Sequence, residues 1–409
     1  MQEVTDDGAG VTPVTVEISP PALPTVEPAA AEPPESHPFR FTGTTGGFFA
    51  IWIVNLFLTI ITLGIYSAWA KVRKKRYFYG HTWVADANFE YHGNPIAILK
   101  GRLIAVAAFA AYSGVGHFMP KLAAALALLL FAAAPWFIAR SMAFNAFNSS
   151  YRNIRFRFQA TYTDVLKTIW PLALPMLFSF LLPELDQSRK VPPPTLFWAV
   201  LILQMLTFFA VYPFIVGSLK VLHVNHSAFG TAPFHTGLRM GAFYKIYSLA
   251  LLLFFGAAIG FAIVGGLVGV AAGFVISATG VGKSLFGPML MVAAIVLAYF
   301  GMGSLVLAYT RSRIGNLVFN STRLGGQLSF TSTLKMRKLA WLYLVNLFAV
   351  LFSLGLAIPW AAVRVMRYRA DCLTLQSTSP LDEFIGGVSA QVGATGEELG
   401  EFFNIDLSL

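Results

Sequence analysis

Two asparagines stand where an amide is costly. Asn55 lies inside the apolar run GGFFAIWIVNLFLTIITLG, and Asn346 lies inside WLYLVNLFAVLFSLG. An amide in hydrocarbon must find a partner, so each side chain either bonds to a neighbouring helix or faces a water-filled path. Both are therefore candidate path or packing residues. Gly64 and Gly355 follow each asparagine by nine positions and break the helical pattern. The second chemical feature is a pair of basic runs, KVRKKR at 71–76 and RVMRYR at 364–369, interleaved with Trp69, Tyr77, Trp360 and Tyr368. Cations meeting anionic headgroups beside boundary aromatics is the chemistry of an interfacial helix, which makes Arg73, Arg76, Arg364 and Arg367 candidate anionic-lipid contacts.

Other chemistries find little support. His223 and His226 lie three apart, and His81 and His92 flank a turn, but no cysteine and few carboxylates accompany them. Capping is the better account of these imidazoles, and no metal or cofactor is expected. No P-loop, GxGxxG, HExxH, GxSxG or paired-cysteine motif occurs, so no enzyme is expected. The acids of the central region, Asp86, Glu90, Asp164, Glu184 and Asp186, fall at or beyond the ends of the apolar stretches. That leaves no carboxylate relay within the membrane.

The elements that must position these residues repeat. Asn55, Leu56, Phe57, Leu63, Gly64, Trp69, Val72, Arg73, Arg76 and Tyr77 recur as Asn346, Leu347, Phe348, Leu354, Gly355, Trp360, Val363, Arg364, Arg367 and Tyr368, at a constant offset of 291. Composition sets the medium: 56% of the 409 residues are hydrophobic and 12% charged, outside the soluble range. The net charge of +10 is segregated, because residues 1–36 and 371–409 each hold seven acids and, between them, no Lys or Arg. In so apolar a chain, the central excess of bases reads as the positive-inside rule rather than as nucleic-acid binding. One cysteine, Cys372, excludes an internal disulfide.

Residues 1–38, acidic and Pro-rich, predict a disordered tail with no cleavable signal peptide, and 379–409 a second acidic tail. Between them, 39–378 forms the transmembrane domain. Six apolar stretches, 97–117, 122–147, 165–183, 195–222, 243–276 and 286–310, approach or exceed the ~20 residues of a spanning helix. If the two copies of the opening motif also spanned, their basic clusters would lie on opposite faces. The expectation is therefore an all-α bundle of six spans flanked by two re-entrant hairpins, with eight spans as the alternative and both termini cytoplasmic. The glycine-rich stretch 243–276, with Gly256, Gly260, Gly265, Gly266, Gly269 and Gly273, reads as a close-packing face or as a flexible segment, and its length predicts a kink or an end beyond the bilayer.

Between helices, aromatic-polar triplets recur: FRF at 39–41, FEY at 89–91, FRF at 156–158, PFH at 233–235 and LSF at 328–330. Before the last four, an Asn or His is followed five positions on by Asp86, Asn153, Gly230 or Gly325, which suit tight turns. These predict a small β-layer on the cytoplasmic face.

The FRFTG entry at 39–43, LGIYSAWAKVRKKRYFYGHT at 63–82 and FEYHGNPIAILKGR at 89–102 resemble the YjgN family of bacterial inner-membrane proteins over residues 37 to about 378. The resemblance implies a multi-spanning inner-membrane protein and brings no substrate, cofactor or catalytic residue. Internal duplication with polar, broken helices favours a transporter or channel-like permease. A lipid-interacting scaffold of the envelope is the alternative. The lipid bilayer is the expected partner, and oligomeric state does not follow from the sequence.

Overall fold

The computed structural model describes residues 35–179, 181, 194–279 and 286–392. Most of the expected N-terminal tail, the end of the C-terminal one, and Glu184 and Asp186 lie outside these residues.

Local chemistry sets several helix starts. Thr44 opens α1 (Thr45–Ile61) by accepting from the Gly47 N–H at 3.1 Å. Asn94 caps α3 (Pro95–Phe118) with Pro95 at its first position. Thr161 and Asp164 form a reciprocal capping box on α5 (Tyr162–Ile169). α1 turns back into α2 (Ser67–Gly80) through Leu63 and Gly64, at φ 49° and 92°. α10 (Met336–Phe352) turns into α11 (Ile358–Asp371) through Leu354 and Gly355, at φ 51° and 92°. Only glycine takes the second of these conformations without strain. Each hairpin is closed by a tyrosine. The Tyr77 hydroxyl accepts from the Thr44 N–H at 2.8 Å and donates to Thr44 O at 2.7 Å. The Tyr368 hydroxyl accepts from the Lys335 N–H at 2.9 Å. Because Tyr77 is buried, Tyr77→Phe leaves the Thr44 N–H unpaired while Thr44 O keeps the Phe48 N–H, and we expect a loss of about 1–3 kcal/mol, read as a lower midpoint in detergent unfolding.

Three helix pairs lie between these hairpins: α3 with α4 (Pro120–Phe147); α5 and α6 (Ala173–Ser179) with α7 (Thr195–Asn225); and α8 (Met240–Thr279) with α9 (Phe286–Asn320). The N-terminal helical hairpin and each of these three pairs run into a short β-hairpin. These are β3 (Thr82–Val84) with β4 (Ala87–Tyr91), β5 (Ser149–Tyr151) with β6 (Ile154–Phe158), β7 (Ser227–Phe229) with β8 (Ala232–Thr236), and β9 (Thr322–Leu324) with β10 (Leu328–Ser332). Asp86, Asn153, Gly230 and Gly325 in their turns all have φ between 57° and 62°. β1 (Glu35–Pro38) and β2 (Arg40–Phe41) open the chain, and β11 (Leu373–Ser377) follows α11.

The hairpins pair edge to edge in one eleven-stranded antiparallel sheet, ordered β1-β11-β10-β9-β8-β7-β6-β5-β4-β3-β2. Its two ends are consecutive in the chain, separated by Phe39 alone, whose N–H donates to Leu373 O at 3.0 Å. The sheet is thus a nearly closed barrel, which removes the exposed edges that short strands otherwise present. This corrects the expectation of an all-α bundle with a small β-layer. The largest apolar core lies in this barrel, with Phe41, Val84, Ile154, Phe229, Leu324, Leu328 and Leu375 buried together.

The span count is corrected too. Among the described residues four helices are long and apolar enough to cross a membrane: Pro95–Phe118, Ala125–Phe147, Thr195–Asn225 and Met240–Ala271. The 165–183 stretch is not one straight helix, because a 3-10 turn at Trp170–Leu172, holding Pro171, separates α5 from α6. α8 runs unbroken for 40 residues, about 60 Å. Among the described residues, a Cβ added to any of its six central glycines would meet nothing within 4 Å.

Residues 381–392, inside the acidic C-terminal segment, form a last helix, α12. Leu381, Ile385 and Val388 join the barrel core. Arg152 pairs with Asp382, and the Thr231 hydroxyl meets Gln391 Oε1 at 2.7 Å. α12 corks the end of the barrel away from the helix pairs.

Candidate functional site

The inner face of the barrel carries a row of phenylalanines. Each is the third residue of a five-residue stretch: HPFRF, ANFEY, IRFRF, APFHT and LSFTS. Alternation along a strand turns these third positions inward. Successive ring centroids lie 6.2 Å (Phe39–Phe89), 6.4 Å (Phe89–Phe156), 6.4 Å (Phe156–Phe234) and 6.4 Å (Phe234–Phe330) apart, with interplanar angles of 11°, 21°, 24° and 27°. Each step crosses two strands, about a fifth of the barrel circumference. Rings facing the axis, or standing along it, would rotate by that much from one to the next. Near-parallel planes therefore mean that the rings lie across the lumen, like the leaves of an iris.

A cavity adjoins the iris on each side. The barrel lumen, about 830 Å³, is lined by Leu324, Leu328 and Leu375 from the strands, by Leu381, Phe384 and Ile385 from α12, and by Lys71, Lys74 and Lys75 from α2. The vestibule among the helices, about 1080 Å³, is lined by Tyr212, Tyr247, Phe254, Gly303, Leu307 and Thr310 together with Lys220, His223 and Arg311. Phe89, Phe156, Phe234, Phe330 and Arg369 line both. Among the described residues no Asp or Glu lines either cavity. Between α2 and the first hairpin, Lys75 bonds to Asn145 Oδ1 and sits 4.5 Å from the Tyr91 ring. Burial, and then Lys71, pull the Lys75 ammonium below its ordinary pKa, and burial pushes the Tyr91 hydroxyl up to about 12.

The residues singled out in the sequence mostly lie elsewhere. Asn55 and Asn346 are buried within the two terminal hairpins, with neither Oδ1 bonded. Asn346 Nδ2 donates to Ala361 O at 3.4 Å, and neither asparagine lines either cavity. Gly64 and Gly355 form the hairpin turns. Arg73 lies 5.8 Å from the Tyr66 ring and Arg364 4.9 Å from the Trp360 ring. Arg367 donates to Gly43 O at 3.1 Å, tying α11 to the entry of α1, and the charge of Arg76 reaches the Tyr91 hydroxyl. The histidines bond locally: His81 to Tyr77 O at 2.7 Å, His92 to the Ser150 hydroxyl at 2.7 Å, and His226 to Leu222 O at 3.1 Å with Asp164 at 3.5 Å. The iris and the cavity bases were missed. A common third-place phenylalanine was the available signal, hidden because the triplets PFH and LSF were aligned one and two positions out of register.

Apolar helices of spanning length, standing on a barrel with an aromatic and basic interior, define a polytopic membrane protein with an internal cavity. The chain belongs to the family described as "Bacterial protein of unknown function (DUF898)", whose pattern matches residues 36–402. It is 24% identical over 357 residues to "Inner membrane protein YjgN" of Salmonella typhimurium, covering 83% of this chain and 89% of that protein. It is 35% identical over 136 residues to "Inner membrane protein YjgN" of Escherichia coli K12, a third of each chain. The resemblance read from the opening motifs therefore holds. No solved structure matches the chain.

Proposed function

We propose that this is a multi-pass inner-membrane permease, not an enzyme, with the barrel and both termini in the cytoplasm and with terminal hairpins that arose by internal duplication. The names of the relatives support the membrane, and the bases gathered at the barrel end of the helices support the orientation. The observation that carries the transport reading is the pair of cavities that share a row of phenyl rings, with Tyr79 and Arg369, as their common wall. Two compartments divided by a thin gate form the geometry that alternating access requires. The second reading, a lipid-contacting scaffold, is favoured by Arg364, whose Nη1 is buried without a hydrogen bond beside Trp360.

One engineered cysteine separates the two. In a Cys372→Ser background, Thr310→Cys in the vestibule is treated with a membrane-impermeant anionic thiol reagent in right-side-out and in inverted vesicles. The permease is expected to react in both. Reaction from one face only, or from neither, overturns the transport reading.

A further inference from the structure

We propose that the vestibule binds an anionic amphiphile, with its head on Lys220, Arg311 and Arg369 and its chain along α7, α8 and α9. This rests on the permease reading and names the class of its cargo.

The argument begins with charge. Lys220 lies within electrostatic range of Arg311 and Arg369, so three cations converge on one cavity. Among the described residues no carboxylate pairs with any of them. Like charges gathered in a partly desolvated space repel one another, and such a cluster is stabilised by an anion from outside. Arg311 and Arg369 add planar donor forks suited to phosphate or carboxylate oxygens.

Asn145, Ser149, Ser227 and Thr322 add polar groups to the lining, but its side on α8 and α9 is the opposite in character. Tyr247, Phe254, Val306 and Leu307 form an apolar wall that offers almost nothing to a hydrated ion. From Arg311 back to Gly303 along α9 is about 12 Å, room for an extended hydrocarbon segment. At about 1080 Å³, the cavity exceeds the usual small-molecule range. A charged head at one end of an apolar chain satisfies both halves of the lining, and a simple inorganic anion satisfies only one.

The probes are monododecyl phosphate and inorganic phosphate, titrated against the full-length protein in an uncharged detergent. The wild type is expected to bind dodecyl phosphate far more tightly than phosphate. Arg311→Gln with Arg369→Gln should weaken dodecyl phosphate binding by roughly thirtyfold or more, with rescue in Arg311→Lys. Among the described residues a Cβ at Gly303 would meet nothing within 4 Å, so Gly303→Leu extends a side chain into the chain space and should weaken dodecyl phosphate alone. Competition by phosphatidylglycerol in nanodiscs, with none by phosphatidylcholine, would identify bilayer lipid as the source.

Unchanged dodecyl phosphate binding in the arginine double variant overturns the proposal. So does a Gly303→Leu protein that binds both probes like the wild type, with phosphate as strong a ligand as its dodecyl ester; that outcome marks a site for a free anion. The two readings fail separately. Binding that persists while Thr310→Cys is reached from only one face removes the permease and keeps the site, and the reverse pattern removes the site and keeps the permease.

Discussion

Ending the chain after Thr378 is expected to uncork the barrel and raise the labelling rate of a lumen cysteine by about a hundredfold or more. The reporter is Leu375→Cys in the Cys372→Ser background, at a position that shares the lumen wall with Leu381, Phe384 and Ile385. The size of the effect follows from what α12 buries. Leu381, Ile385 and Val388 are 4%, 8% and 5% exposed, and seating each contributes about 1.5–3 kcal/mol. Even half of that total makes spontaneous opening rare. The polar ties to Asp382 and Gln391 lie at the surface and add little. Ile385→Glu tests the same seal in the full-length protein, since Ile385 is buried in the apolar core cluster and a carboxylate there is costly unless a base pairs with it. A folded truncation in which Leu375→Cys stays as slow to react as in the whole chain would show that α12 is not the cork.

Removing two neighbouring leaves of the iris, Phe156→Ala with Phe234→Ala, is the second large effect. With α12 in place, the double variant is expected to let reagent in the vestibule reach Leu375→Cys about tenfold faster or more, as a closed gate becomes an open one. These rings are only partly buried, so each truncation should remove less than the 3–5 kcal/mol of a fully buried phenylalanine. The protein is therefore expected to stay folded, which circular dichroism of the purified variant can verify. Phe156→Leu with Phe234→Leu keeps apolar bulk but not the flat ring and should fall between the two. Equal rates in all three proteins would mean that the rings do not divide the cavities.

Much of the helical framework could be read from residue patterns, because long apolar runs and Gly-containing turns act over a few neighbours. The positive-φ turns at Asp86, Asn153, Gly230 and Gly325 belong to this class. The barrel could not be read this way. Its strands are two to five residues long and its hairpins are separated by whole helix pairs, so no periodicity accumulates, and nothing local states that Phe156 pairs with Phe229 while Phe158 pairs with Ser227. The asparagines left two readings open for a related reason. An amide inside an apolar run announces a partner without saying whether it belongs to the same hairpin or to a pore, and Asn346 finds Ala361 fifteen residues away. The cavity bases were visible as residues but not as a group, since Lys220, Arg311 and Arg369 come from three helices and meet only when the sheet brings those helices together.

The seam of the barrel bears on how the protein is made. β1 pairs with β11, so Pro38 waits for Thr374, and more than three hundred residues must leave the ribosome before the last hydrogen bonds form. At translation speeds of about 5–20 residues per second, that is roughly half a minute with an unpaired edge close to the nascent N-terminus. Glu35, His37 and Pro38 place charge, a titratable ring and a missing N–H on that edge, features that discourage pairing with a stranger. The seam also makes the order of assembly strict. Helix pairs can enter the bilayer one after another, but the barrel closes only once β11 has been made, and a chain cut short before β11 would carry open strand edges into quality control.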